Sequence, residues 1–282
     1  MLSTAAAASA LLVVAACGGS SGATSGGPAK PQAHQSSSGQ QPQQASSQSP
    51  QQVVEAAAVK AASLRSAVAT IREQVSGAQA TTISGVVHEQ LKPTLQASLK
   101  LHVSGAGQSA AIGEVLTTKA IYIKVPGLVQ QVGKPWIKLT VADLRKANSA
   151  LGALYGSLSK LNPAAQSGEL AGATDVQAAG TDVVSGVSTT KYTGTVQISA
   201  ALHALPKQLR KALKPDLQQI TGGITFTAWI DGQGQLRKEV INESVAGEQV
   251  TITVTLSALN QPVHLAIPPA SQVATPPPGA LG

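Results

Sequence analysis

From Ala97 to Val103 the chain reads Ala-Ser-Leu-Lys-Leu-His-Val, apolar and polar residues in strict alternation. Successive side chains of an extended strand point to opposite faces, so this pattern requires a sheet with one buried face and one face in water. Ile121, Ile123 and Val125 repeat it. Residues 83–90, 94–104, 111–117 and 119–125 are rich in Val, Ile and Thr and punctuated by Pro or Gly, which predicts an antiparallel meander.

A second group of alternating segments covers 224–231, 236–246 and 249–256. Asp231-Gly232-Gln233-Gly234 and Ala246-Gly247-Glu248 join them, and both are hairpin signals. Residues 183–198 have strand character, clearest at Tyr192 and at Val196 to Ile198, whereas 162–179 are small and polar and predict no regular element.

Three segments read as helices. Ala61, Leu64, Val68, Ile71 and Val75 recur at helical spacing with Lys60, Arg65, Arg72 and Glu73 between them, predicting one amphipathic helix over 53–76. Leu144, Leu151, Leu154, Tyr155 and Leu158 form a stripe over 142–161 that ends before Pro163, and a third helix is expected over about 200–213. Roughly seven to ten strands interrupted by three helices define an α+β chain, a curved antiparallel sheet with helices on one face.

The ends of the chain carry a different signal. Residues 2–16 are Leu, Ser, Thr, Ala and Val only, and close in Val14-Ala15-Ala16-Cys17. The run is too short to span a bilayer, and small residues before a cut site suit a signal peptidase. Val-Ala-Ala-Cys resembles the bacterial lipobox, in which the cysteine thiol is diacylglycerated before cleavage. Two acyl chains, at roughly 0.8 kcal/mol per buried methylene, would hold Cys17 stably on a membrane. No Lys or Arg precedes the run, so Met1 is expected to lie downstream of the true start.

Cys17 is the only cysteine in 282 residues, which removes disulfides, thiolate metal sites and thiol nucleophiles from the folded body. Residues 18–52 are dominated by Gly, Ser, Gln, Pro and Ala, contain no aliphatic larger than Ala, and cannot bury a core. As a flexible coil they would reach roughly 30–35 Å. The expected organisation is a signal peptide at 1–16, the lipidated cysteine and linker at 17–52, one domain at 53–273 and a disordered tail at 274–282.

The net charge of +7 is spread along the chain, and two Trp, three Tyr and one Phe are too few for base-stacking platforms, so nucleic acid is not an expected partner. His34, His88, His102, His203 and His264 show no metal-ligand spacing, and no Gly-x-Ser-x-Gly, His-Glu-x-x-His or Walker loop occurs. No catalytic residue, metal or cofactor is therefore expected. Trp136 and Trp229 read as structural anchors.

The ordered set Ala120-Ile121-Tyr122-Ile123-Lys124, Pro135-Trp136-Ile137-Lys138-Leu139, Thr189-Thr190-Lys191-Tyr192 and Phe226-Thr227-Ala228-Trp229-Ile230-Asp231-Gly232, with Leu236-Arg237-Lys238, resembles the actinobacterial LppX/LprG-type lipoproteins, including LprA and LprF. The resemblance covers about 60–267. It implies a half-barrel of antiparallel strands wrapped over helices, similar to the LolA/LolB carriers, with an apolar cavity for acylated lipids or glycolipids of the cell envelope. The location it implies is the extracytoplasmic face of the cell membrane, with a lipid transporter as a further expected partner.

If each strand turns its more apolar face inward, Leu99, Leu101, Val103, Ile121, Ile123, Val196, Ile198, Ile224 and Phe226 are the expected cavity lining. Leu202, Leu205, Leu209 and Leu213 alternate with Lys207, Arg210, Lys211 and Lys214 in a basic amphipathic element. Those four cations are the expected contacts for anionic headgroups. The alternative is a surface-tethered interaction module with a filled core and no lipid cargo.

Overall fold

The computed structural model describes residues 48–77, 80–124, 127, 130, 132–140, 170, 172–196, 223–245 and 247–275. The chain enters through helix α1, Pro50–Ala62. Ser49 caps it: its side chain accepts from the Gln52 N–H, Gln52 in turn accepts from the Ser49 N–H at 2.9 Å, and Pro50 supplies a preset first turn.

The expected helix over 53–76 is corrected here. It stops at Ala62, and Ser66–Ser76 is strand β1. Val68, Ile71 and Val75 are spaced as on a helix, but the β-branched run is stiff at χ1 and fits a pleated surface better. The cross-strand partners of β1 on both sides then fix its face assignment.

The other strands are β2 (Thr81–Gln90), β3 (Gln96–Gly105), β4 (Gln108–Leu116), β5 (Ala120–Lys124), β6 (Trp136–Thr140), β7 (Ala173–Val184), β8 (Val187–Val196), β9 (Ile224–Asp231), β10 (Leu236–Val245), β11 (Glu248–Ser257) and β12 (Val273–Ala274). They form one sheet in the order β12-β6-β5-β4-β3-β2-β1-β11-β10-β9-β8-β7. Two meanders, β1 to β6 and β7 to β11, are thus sewn together by antiparallel pairing of β1 with β11, and the short β12 adds in parallel beside β6. The fold is α+β, an open, curved antiparallel sheet.

Strand β7 is absent from the sequence expectation, which placed only small polar residues before 180. It is an edge strand, largely exposed and interrupted by two register shifts against β8, so no alternation survives to be read. The expected helices over 142–161 and 200–213 lie outside the described residues.

The core sits between α1 and the β9 to β11 part of the sheet. Val54, Ala57 and Ala58 of α1 share one cluster with Ile224, Phe226, Ala228, Ile230, Val250 and Ile252. The alanines let the helix backbone approach the sheet closely, and Gln51 Nε2 donates to the Ala173 carbonyl at 2.5 Å. At the other helix end Lys60 donates to the Gln233 carbonyl in the β9–β10 turn. Asp231 builds that turn by accepting from the N–H groups of Gln233 and Gln235, both at 2.9 Å.

Candidate functional site

The pairing register divides every strand into two faces. Ile224, Phe226, Ala228 and Ile230 on β9 belong with α1, and following their cross-strand partners carries this inner face over the sheet. It passes through Ile241 on β10, Ile252 on β11, Ile83 on β2 and Val103 on β3.

All the expected lining residues that are described lie on this face. Leu99, Leu101 and Val103 pair with Val87, Gly85 and Ile83, and Ile121 and Ile123 with Leu139 and Ile137. Val196 pairs with Ile224, and the Phe226 ring lies over Gly194. They divide by cover. Val196, Ile224 and Phe226 are buried in the α1 cluster, and Ile121 is buried against Leu139, whereas Leu99, Leu101, Val103 and Ile123 keep part of their surface accessible. Ile198, Cys17 and the cations Lys207, Arg210, Lys211 and Lys214 lie outside the described residues.

The inner face also carries acids that the sequence reading missed. Glu73 on β1 pairs with Ile252 and Ile83, Glu89 on β2 with Ala67 and Ala97, and Glu114 on β4 with Leu99 and Ile123. On β10, Glu239 pairs with Ala228 and Val254, while Glu243 pairs with Val250. Each is paired across the sheet with apolar residues. Glu114 between Ile112 and Leu116 is the signal that could have shown it, because an acid there keeps the inward phase of its strand.

Their environment is desolvating. Burial pushes the carboxyls of Glu89 and Glu239 up to about 7 and raises those of Glu114 and Glu243. Glu73 reaches about 7 through burial and then through the neighbouring charge of Glu243. Glu73 and Glu243 are 1% and 5% exposed, and Oε1 of each is buried without a hydrogen-bond partner. Glu89, Glu114 and Glu239 retain accessible surface although their carboxyls are desolvated, a combination that belongs to the wall of a concavity rather than to a convex surface.

The bases occupy the opposite face. Arg72, Lys100, Lys124, Lys138, Lys191 and Lys238 fall at the alternate positions of their strands, and Arg237, at the β10 register shift, is paired with Asp231 at 2.7 Å. Burial opposes ionisation of Asp231, but hydrogen bonds from Gln235, Arg237 and Gln233 outweigh it and hold its carboxyl below the usual range. Both tryptophans are on this outer face. Trp229 lies under Lys238, 4.5 Å from cation to ring centroid, and donates to Asp182 at 3.0 Å. Trp136 reaches across to Gly113, whose missing side chain leaves it room.

Among the described residues no group of three His, Cys, Asp or Glu side chains could hold a metal ion. No described helix is long and apolar enough to cross a membrane.

These features define an open, curved antiparallel half-barrel with an apolar inner face. LprF from Mycobacterium bovis has the same fold: 18% identity, 78% of this chain and 96% of that one, TM-score 0.51. Lipoprotein LppX from Mycobacterium tuberculosis aligns at 21% identity over 77% of this chain and 98% of that one, with a TM-score of 0.44. A LolA superfamily protein from Nitrosomonas europaea aligns at 9% identity over 79% and 96%, with a TM-score of 0.28. The fold assignment rests on LprF, and the resemblance read from the sequence holds at the level of the fold. No protein-family model and no curated protein sequence matches the chain.

Proposed function

We propose that the chain is an extracytoplasmic lipoprotein, anchored in the cell membrane through diacylated Cys17, that binds and carries an acylated lipid on the inner face of its sheet. The observation that carries this reading is the uneven cover of that face. One side of it is closed by α1, while Leu99, Leu101, Val103 and Ile123 on β3 and β5 present aliphatic surface that is still accessible. A contiguous apolar surface inside a curved sheet is favourable for acyl chains, at roughly 25 cal/mol per Å² removed from water. Aliphatic walls impose no ring-stacking geometry, so chains of different length fit alike.

The reading assigns no catalytic step. Lys207, Arg210, Lys211 and Lys214 are proposed to meet anionic groups of the bilayer or the ligand. The fold shared with LprF agrees with the LppX/LprG-type resemblance, which implies lipid carriage, and the Val-Ala-Ala-Cys motif supports the anchor. The test has two parts. Radiolabelled palmitate should enter the wild-type chain and not Cys17→Ser, and the purified Cys17→Ser chain should take up an added diacylated glycolipid with saturation. Absence of uptake would overturn the carrier reading, and label in Cys17→Ser would overturn the anchor.

A further inference from the structure

The inner face separates charge in a way that lipid carriage alone does not require. Six strand glutamates, Glu248 of β11 among them, turn inward, and no lysine or arginine at an inner position of the same described strands joins them. Three of these acids surround Ile252 of β11: Glu73 beside it on β1, and Glu239 and Glu243 on β10 to either side of its partner Ile241. Two have a buried carboxyl oxygen with nothing to bond.

Buried polar atoms are ordinarily satisfied, and an orphan costs free energy that an apolar residue of the same size would avoid. Valine or isoleucine at 73 would complete the apolar row of Ile241, Ile252, Ile83 and Val103, and at 243 would match its partner Val250. Instead Oε1 of each carboxyl has no partner among the described residues, and Glu239, one inner position along β10 from Ile241, is accessible beside them.

The geometry points to a polar subsite in the centre of the inner face, formed by Glu73, Glu239 and Glu243, that bonds an uncharged, hydroxyl-bearing part of the lipid and rejects an anionic one. This rests on the lipid-binding reading above and deepens it. A hydroxyl both donates and accepts, so it can satisfy a carboxyl in either protonation state. A phosphate or carboxylate would place negative charge against this acidic group with no basic side chain on the described face to offset it, in surroundings where charges are poorly screened.

The test compares three amphiphiles with two hexadecyl-length chains: 1,2-dipalmitoylglycerol, dihexadecyl phosphate and dihexadecyldimethylammonium. Each competes for the full Cys17→Ser chain against an environment-sensitive apolar dye. At about pH 8 the diacylglycerol should bind at least roughly tenfold more tightly than the phosphate. The double variant Glu239→Gln, Glu243→Gln, which carries no charge at these positions but can still bond a hydroxyl, should lose most of that preference.

A measurement on the unaltered acids guards against a misfolded variant. The described titratable groups on the inner face and on the helix over it are Glu73 on β1, Glu239 and Glu243 on β10, Glu248 on β11, Glu89 on β2, Glu114 on β4 and Tyr192 on β8, with Glu55 on α1, while the exposed Lys60 of α1 is turned to the Gln233 carbonyl. As the carboxyls take up protons towards about pH 5.5, discrimination against the permanently charged phosphate should shrink severalfold. Equal binding of neutral and anionic probes at about pH 8, or a preference that neither pH nor the variant changes, would overturn the subsite while leaving lipid binding intact. Tightest binding of the ammonium probe would replace it with a cation site, and no binding of any probe would overturn the carrier reading with it.

Discussion

The ring of Phe226 fills the space above Gly194 that a β-carbon would occupy, its nearest atom 2.7 Å from that position. Glycine on β8 is therefore what allows the only phenylalanine of the chain to lie flat across its neighbouring strand beneath α1. Phe226 is 2% exposed, so it cannot swing away into water. Gly194→Val should lower stability by roughly 1–3 kcal/mol through overpacking, read as a lower urea midpoint with an unchanged slope.

The inward glutamates set the pH dependence. Glu73, Glu89 and Glu239 titrate at about 7 when folded, against 4.5 ordinarily, so the folded chain holds more protons than the unfolded one between those values. Their contribution is full below about 4.5 and is lost as pH rises through about 7. Asp182, held low by the Val183 N–H and then by Trp229, and Asp231 act in the opposite sense. Their contribution is present above the ordinary 3.8 and is lost as pH falls through their lowered values. The thermal midpoint should therefore be higher at about pH 5 than at about pH 8 and fall again in stronger acid. Glu73→Gln should raise the pH 8 midpoint and flatten the slope, whereas a midpoint that climbs steadily from pH 5 to 8 would contradict the burial of these acids.

Trp229 is a separate case because it faces outward. With 8% exposure, Lys238 of β10 above it and Asp182 of β7 on its N–H, it ties β7, β9 and β10 together from the side away from α1. Trp229→Leu should cost roughly 1–3 kcal/mol of stability. Lipid uptake by the folded variant should equal wild type, measured by saturation with the same glycolipid.

Leu101 and Ile123 provide the converse. Both are partly accessible on the inner face, Ile123 beside Ile121 and Leu139 and Leu101 at the margin of the α1 cluster, so a charge there meets any acyl chain while the buried centre of that cluster stays in place. Leu101→Glu or Ile123→Asp should leave the circular-dichroism spectrum and most of the stability unchanged and reduce lipid uptake at least roughly tenfold, since a charge in an apolar contact is costly to desolvate.

The sequence showed the sheet well where one face is apolar and both neighbours are present. Strands β2, β3, β9, β10 and β11 fall within a few residues of their expected bounds, because alternation and the Asp231-Gly232-Gln233-Gly234 turn are local. Strand β1 was misread because Glu73 turns inward. With an acid at that position, Ala69-Ile71-Glu73-Val75 no longer reads as one apolar face, and Val68, Ile71 and Val75 mimic a helix instead. Strand β7 failed for a different reason: an exposed edge with bulges needs no pattern. That Leu99, Leu101, Val103, Ile121 and Ile123 share one face was legible, but the acidic interruption of that face was not, since the phase of a lone Glu becomes visible only once strand pairing is known.

The central claim is that the inner face holds lipid, and the most direct test is native mass spectrometry with organic extraction. The sample is the full Cys17→Ser chain purified from a lipid-containing host. The account predicts a stoichiometric adduct that extracts as lipid and that is depleted in Leu101→Glu while that variant stays folded. A clean mass with no adduct, together with no uptake of added glycolipid, would contradict it and favour an interaction module with a filled core.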